Sequence, residues 1–85
     1  MTQPQRQDDA QPKLMRLSQA ASQAGVGTQT LEYYIMLGLV RPIRRNGSRS
    51  RQFDEALVAR IRLINRMNKS GYTLAAIREV YLSNR

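Results

Sequence analysis

At 85 residues the chain has room for one domain, and its net charge of +8, from 14 basic and 6 acidic residues, favours a polyanionic partner. It contains no cysteine and no histidine, which excludes disulfides and thiolate or imidazole metal sites within these residues. A core of this size leaves little room for a large substrate pocket, and we expect no cofactor.

The chain shows neither a secretory leader nor an apolar run of membrane-spanning length. We therefore expect a cytoplasmic, nucleoid-associated protein. Basic chains also bind acidic lipid, but no wide apolar face accompanies the charge here, so a membrane is not an expected partner. Residues 1–13 are rich in glutamine, proline and charge and are expected to form a disordered tail, followed by a single domain over residues 14–85.

The first half of the domain has the pattern of two helices joined by a tight glycine turn. An extended lead-in over residues 14–17 precedes a helix with Ser18 as its predicted cap and Gly25 as its stop. A second helix is predicted over residues 28–37, capped by Thr28 and stopped by Gly38 in the left-handed conformation. The predicted buried positions are Leu17, Ala20, Ala21, Ala24, Leu31, Tyr34 and Ile35.

The outer face of the second helix carries polar side chains of the kind that reach base edges and phosphates in a major groove. These are Thr28, Gln29, Glu32 and Tyr33. Adjacent helical residues diverge by about 100°, so the two tyrosines cannot both face the core. We assign Tyr34 to the core and Tyr33 to the surface.

Residues 39–53 have the pattern of a β-hairpin that turns at Asn46-Gly47. Asn46-Gly47-Ser48 also matches a glycosylation acceptor, but without a secretory signal the hairpin interpretation is favoured. The hairpin is rich in arginine, and no acid intervenes between Glu32 and Asp54. Phosphate contact is favoured over a merely solvated loop. The arginines are Arg41, Arg44, Arg45, Arg49 and Arg51.

Two further helices are predicted after the hairpin. Asp54 caps the longer one, Gly71 stops it, and Thr73 caps the last. The predicted buried positions are Leu57, Val58, Ile61, Ile64, Met67, Leu74, Ile77, Val80 and Tyr81. Arg62, Arg66 and Lys69 share an outer face, where they are either solvated or in contact with phosphate.

From about Met15 to Val80 the chain resembles the DNA-binding domain of the MerR family of bacterial transcription regulators. The blocks that carry the resemblance are GVGTQTLEYY, LGLVRP and SRQFDEALVARIRLINRMNKSGYTLAAI. The resemblance implies a mainly α fold, a winged helix-turn-helix of four helices with a two-stranded β-hairpin wing. It places helix 28–37 in the major groove and wing 41–53 on the backbone. The implied DNA contacts are Thr28, Gln29, Glu32, Tyr33 or Tyr34 through a hydroxyl, the five wing arginines, Asn46 and Lys69.

Two positions depart from the family pattern. Glu32 stands where the family usually has arginine, and DNA would repel it unless it meets a cytosine amino group or an arginine. Ile35 replaces an acidic residue. Family members also continue into a long dimerisation helix and an effector domain, whereas about eight residues follow Ile77 here. The chain is thus either a piece of a longer protein or a small stand-alone binder, with no small-molecule effector site evident.

These observations predict a sequence-specific regulator that binds double-stranded DNA. Its expected protein partner is either a second copy of the chain on the DNA or another protein. An architectural or excisionase-like recombination accessory protein would use the same residues. A protein-binding adaptor is a weaker alternative, with Ile35, Met36 and Leu82 as its apolar surface. An enzyme is not expected, because helix capping explains Asp54 and Glu55 and the serines have no histidine base.

Overall fold

A computed structural model of the chain describes residues 13–45 and 49–83, with side chains described as far as residue 80. These residues form four helices and a two-stranded antiparallel sheet, which confirms the predicted fold class. Most of the expected N-terminal tail and the Asn46-Gly47 turn lie outside the described residues. In chain order the elements are β1 (Met15–Arg16), α1 (Leu17–Ala24), α2 (Thr28–Met36), β2 (Gln52–Phe53), α3 (Glu55–Lys69) and α4 (Leu74–Ser83).

The sheet brings three segments together around β2. Met15 pairs with Phe53 and Arg16 with Gln52, so the predicted extended lead-in is confirmed at these two residues, whereas Leu17 already begins α1. The first arm of the predicted hairpin meets β2 at one bridge, where Ile43 N–H donates to Gln52 O at 2.8 Å and Gln52 N–H donates to Ile43 O at 2.9 Å. The two strands are therefore β1 and β2, and the wing between residues 41 and 53 joins the sheet through Ile43.

Two of the predicted helix caps are wrong. Arg16 is the N-cap of α1, and Ser18 lies inside the first turn. The pairing with β2 holds Arg16 extended, at φ −85° and ψ 171°, so the chain turns into the helix directly after it. Gly27 is the N-cap of α2 and its carbonyl accepts from Leu31 N–H at 3.1 Å, which makes Thr28 the first helical residue.

The remaining helix boundaries follow the sequence prediction closely. Gly25 and Gly38 adopt the left-handed conformation, at φ 77° and 82°. The helix α2 ends at Met36, one residue before the predicted end. Asp54 Oδ1 accepts from Leu57 N–H at 2.9 Å, and Thr73 Oγ1 accepts from Ala76 N–H at 3.0 Å, so both predicted caps are confirmed.

The core lies where α1 packs against α2 and α3, with β2 against α1 and α3, and with α4 on α3. Among the described residues no polar or charged side chain is buried. The core covers α4 at Ile77 but no longer one turn later, so Val80 is 48% exposed and its predicted inward position is wrong. The buried residues are Ala20, Ala21, Ala24, Leu31, Tyr34, Leu39, Val40, Phe53, Val58, Ile61, Ile64 and Ile77.

Candidate nucleic-acid interface

The helix α2 separates an apolar inner face from a polar outer face. Leu31 and Tyr34 are buried, and this anchoring leaves Thr28, Gln29 and Glu32 exposed. The division of the tyrosines is confirmed, because Tyr33 is 47% exposed and Tyr34 is 2% exposed. Burial raises the pKa of the Tyr34 hydroxyl, so this side chain stays neutral over the ordinary pH range.

A surface depression of about 430 Å³ lies beside the outer face of α2. Lys69, at the end of α3, lines it together with both tyrosines of α2. Sequence reasoning missed three of its polar residues. The spacing of Asn65, Asn68 and Lys69 at i, i+3 and i+4 on one helix could have found two of them. The lining residues are Gln29, Thr30, Tyr33, Tyr34, Asn65, Asn68, Lys69 and Leu74.

The wing begins in the core and carries its charge outward. Leu39 and Val40 are buried, and Arg60 of α3 donates from Nε to Leu39 O at 2.8 Å, which fixes the base of the wing. Four of the five wing arginines are exposed and the fifth, Arg51, is partly buried. The exposed four are Arg41, Arg44, Arg45 and Arg49.

A bidentate ion pair joins the wing to α2. Arg51 Nη1 donates to Glu32 Oε1 at 3.0 Å, and Nη2 donates to Oε2 at 2.9 Å. The hydrogen bonds from Arg51 hold the pKa of the Glu32 carboxyl below its usual value, and the same bonds raise the pKa of Arg51. Of the two partners that the sequence left open for Glu32, the structure provides an arginine.

The outer face of α3 is partly engaged with the protein itself. Arg62 donates from Nη2 to Gln23 O at 2.9 Å, close to the C-terminus of α1, where a cation is favoured by the helix dipole. The side chains of Arg66 and Lys69 are exposed. Of the three basic residues that share this face, Lys69 is the one beside α2.

The apolar surface considered for a protein adaptor is not assembled by the described residues. Met36 is exposed, whereas Ile35 is partly buried and packs against the core. The side chain of Leu82 lies outside the described residues. In the part of the chain that the structure describes, no helix is long and apolar enough to cross a membrane, and no acidic cluster could hold a metal ion.

A helix-turn-helix with a basic wing beside its exposed helix is typical of one class of protein, the double-stranded DNA-binding proteins. Residues 15–83 match the family model described as MerR HTH family regulatory protein. The chain therefore belongs to the MerR family.

Relatives and a solved structure agree with this assignment. The chain is 35% identical over 65 residues to the HTH-type transcriptional regulator AdhR of Bacillus subtilis (strain 168), covering 76% of this chain and 46% of that protein. It is 34% identical over 62 residues to the mercuric resistance operon regulatory protein of Bacillus cereus, covering 73% and 47%. The chain thus spans about half the length of these relatives.

The fold matches that of HiNmlR, described as a MerR family regulator lacking the sensor domain, bound to promoter DNA. The TM-score is 0.69 at 18% sequence identity, and the match covers 86% of this chain and 58% of that one. At this identity the likeness concerns the fold.

Proposed function

We propose that this chain binds double-stranded DNA sequence-specifically as a transcription regulator, with α2 in the major groove and wing 41–53 on the backbone. The observation that carries the proposal is the position of α2 between two basic elements. Arg51 ties the wing to α2, and Lys69 lies beside α2 across the depression. A polar helix flanked by cations fits a groove flanked by phosphates.

The exposed side chains divide into two roles in this proposal. Thr28, Gln29 and Tyr33 face the base edges, where a glutamine amide can bond an adenine through two hydrogen bonds. Of the two tyrosines we assign the phosphate contact to Tyr33, because Tyr33 is 47% exposed whereas Tyr34 is 2% exposed. The remaining contacts hold the backbone, and they are Arg41, Arg44, Arg45, Arg49, Lys69 and, from outside the described residues, Asn46.

The size of α2 limits how much sequence one copy can read. Nine residues make a helix of roughly 13 Å, at about 1.5 Å per residue. At about 3.4 Å per base pair, a helix of that length spans about four base pairs. Such a short site recurs often in a genome, so we propose that a second copy or another protein binds beside this chain and supplies the missing selectivity.

The test is selection of bound duplexes from a random DNA library at two salt concentrations. We expect an enriched motif, with regularly spaced half-sites if two copies bind together. Gln29→Ala should change the base preference, because it removes the amide that reads the groove. Gln23→Ala is the matched control, since this exposed glutamine lies on α1.

The alternative functions give different outcomes. Salt-sensitive retention without a motif would support an architectural or recombination accessory role instead. No retention even at low salt would contradict DNA binding by this chain and leave the protein adaptor as the remaining interpretation.

A further inference from the structure

We propose that Glu32 and Arg51 form a brace that holds the wing against the recognition helix, in place of a base contact by Glu32 and a phosphate contact by Arg51. This inference rests on the proposed DNA binding, and it assigns positioning roles to two residues that the sequence pattern had counted as direct contacts.

The geometry of the pair fits a brace. Both carboxylate oxygens of Glu32 are occupied by two nitrogens of the Arg51 guanidinium, at 3.0 and 2.9 Å, across 19 residues of chain. Two parallel bonds fix the angle of the guanidinium as well as its distance, which a single bond does not.

The backbone on each side of the pair is itself anchored. Glu32 follows Leu31, which is fully buried in the core. Arg51 precedes Gln52, which pairs with Arg16 and exchanges two hydrogen bonds with Ile43. The two side chains therefore meet from fixed positions, so little further backbone ordering is needed to form the pair.

Electrostatics favour keeping the pair closed on DNA. If Arg51 turned to a phosphate, it would lose two charge-assisted bonds and leave the Glu32 carboxylate facing a polyanion. Glu32 is an exposed carboxylate that is ionised at neutral pH with or without Arg51, and the hydrogen bonds from Arg51 lower its pKa further. Closed, the pair is neutral overall and presents no uncompensated negative charge to the backbone.

Exposure separates Arg51 from the other wing arginines. Its side chain is 30% exposed, whereas the other four are exposed residues. The wing thus contains four arginines directed to solvent and one directed to α2. Base reading then falls to Thr28, Gln29 and Tyr33, without Glu32.

The first arm of the test uses the free protein and needs no DNA. Glu32→Ala combined with Arg51→Ala keeps the net charge and removes the brace, because neither alanine side chain can form a hydrogen bond. We expect hydrogen exchange at the Ile43 and Gln52 amides to accelerate by about two- to fivefold, since exposed pairs contribute modestly. Exchange at core amides of α3 should not change. Unchanged exchange at both bridge amides would overturn the brace.

The second arm measures binding of the same double variant to the duplex selected by the wild-type chain. The DNA-bound state should be the same as that of the wild type, but without the brace the wing becomes ordered only on binding, which costs free energy. We therefore expect roughly two- to fivefold weaker binding. The slope of log affinity against log salt and the selected motif should both be unchanged. A slope flattened by about one unit would show that Arg51 contacts phosphate, and an altered motif would show that Glu32 reads a base.

Arg78→Ala serves as the control for loss of an arginine elsewhere on the surface, since Arg78 is an exposed residue of α4. It should leave exchange at Ile43 and Gln52 unchanged. If neither the wild type nor any variant binds DNA, the proposed function fails, while the exchange arm still decides whether the pair holds the wing.

Discussion

The core and the wing of this domain differ in the kind of side chain that they contain: hydrophobic in the core and positively charged in the wing. The core is entirely apolar among the described residues, and each of its members is 4% exposed or less. The wing begins on the buried Leu39 and Val40 but then carries exposed arginines and meets the sheet at one bridge. Substitutions in the core should therefore change mainly the free energy of unfolding, and substitutions in the wing should change mainly the surface charge.

The sharpest test of this division is a pair of neighbouring residues on α3. Ile64→Ala should lower the free energy of unfolding by about 2–5 kcal/mol, because it leaves a cavity in a closely packed core. Leu63→Ala, at a side chain that is 43% exposed, should cost far less. Urea unfolding followed by circular dichroism measures both. Equal losses would mean that the core is not packed as described.

The reverse test removes charge from the wing. Arg44→Ala with Arg45→Ala should flatten the slope of log affinity against log salt by about one to two units and weaken DNA binding by roughly tenfold. The free energy of unfolding should hardly change, since both side chains are exposed. Replacing both by lysine keeps the charge and should keep the slope. An unchanged slope in the alanine variant would remove the wing from the DNA interface.

The backbone conformation at the junction between α2 and the wing is tested by substituting Gly38. Gly38 links α2 to the wing at φ 82°, and a Cβ there would meet no atom within 4 Å. Gly38→Ala should therefore cost about 1–2 kcal/mol from backbone conformation alone. Gly27 has equal space and a φ of −77°, so Gly27→Ala carries no such strain and tests only the poorer capping of α2 by alanine. Thermal unfolding measures both variants, and no loss in Gly38→Ala would contradict the conformational explanation.

The smallest expected effect is the pH dependence of the pair between the two regions. Because the pKa of Glu32 is lowered in the folded chain, its contribution to stability is present above the ordinary carboxyl pKa. That contribution is lost as the pH falls through the lowered pKa. Wild type should therefore lose slightly more stability than Glu32→Gln between pH 7 and pH 3 in urea unfolding. An identical loss would show that Arg51 does not hold Glu32 in solution.

Local signals predicted most of the fold. The stops at Gly25 and Gly38 and the caps at Asp54 and Thr73 depend on residues within one turn of each boundary, and the structure bears them out. The helical period likewise separated Tyr33 from Tyr34.

The features that sequence reasoning missed depend on contacts between distant segments. Pairing with β2 places the start of α1 at Leu17, and no local pattern of residues around Ser18 encodes that pairing. Val80 continues the apolar period of α4 but lies beyond the cover of the core. The partner of Glu32 is Arg51, which is 19 residues away in the chain. Local sequence patterns do not show that the wing brings these two residues together. The DNA contacts themselves remain predictions, because they depend on a molecule that binds from outside.

The short sheet bears on how the protein behaves at high concentration. Exposed strand edges act as templates for further strands and so promote aggregation. Here Gln52 is covered on one side by Arg16 and on the other by Ile43. Each strand is two residues long, and the exposed Arg44 and Arg45 beside Ile43 repel other copies of the same chain. These two cations, which we propose for the DNA backbone, should therefore also oppose strand addition between copies.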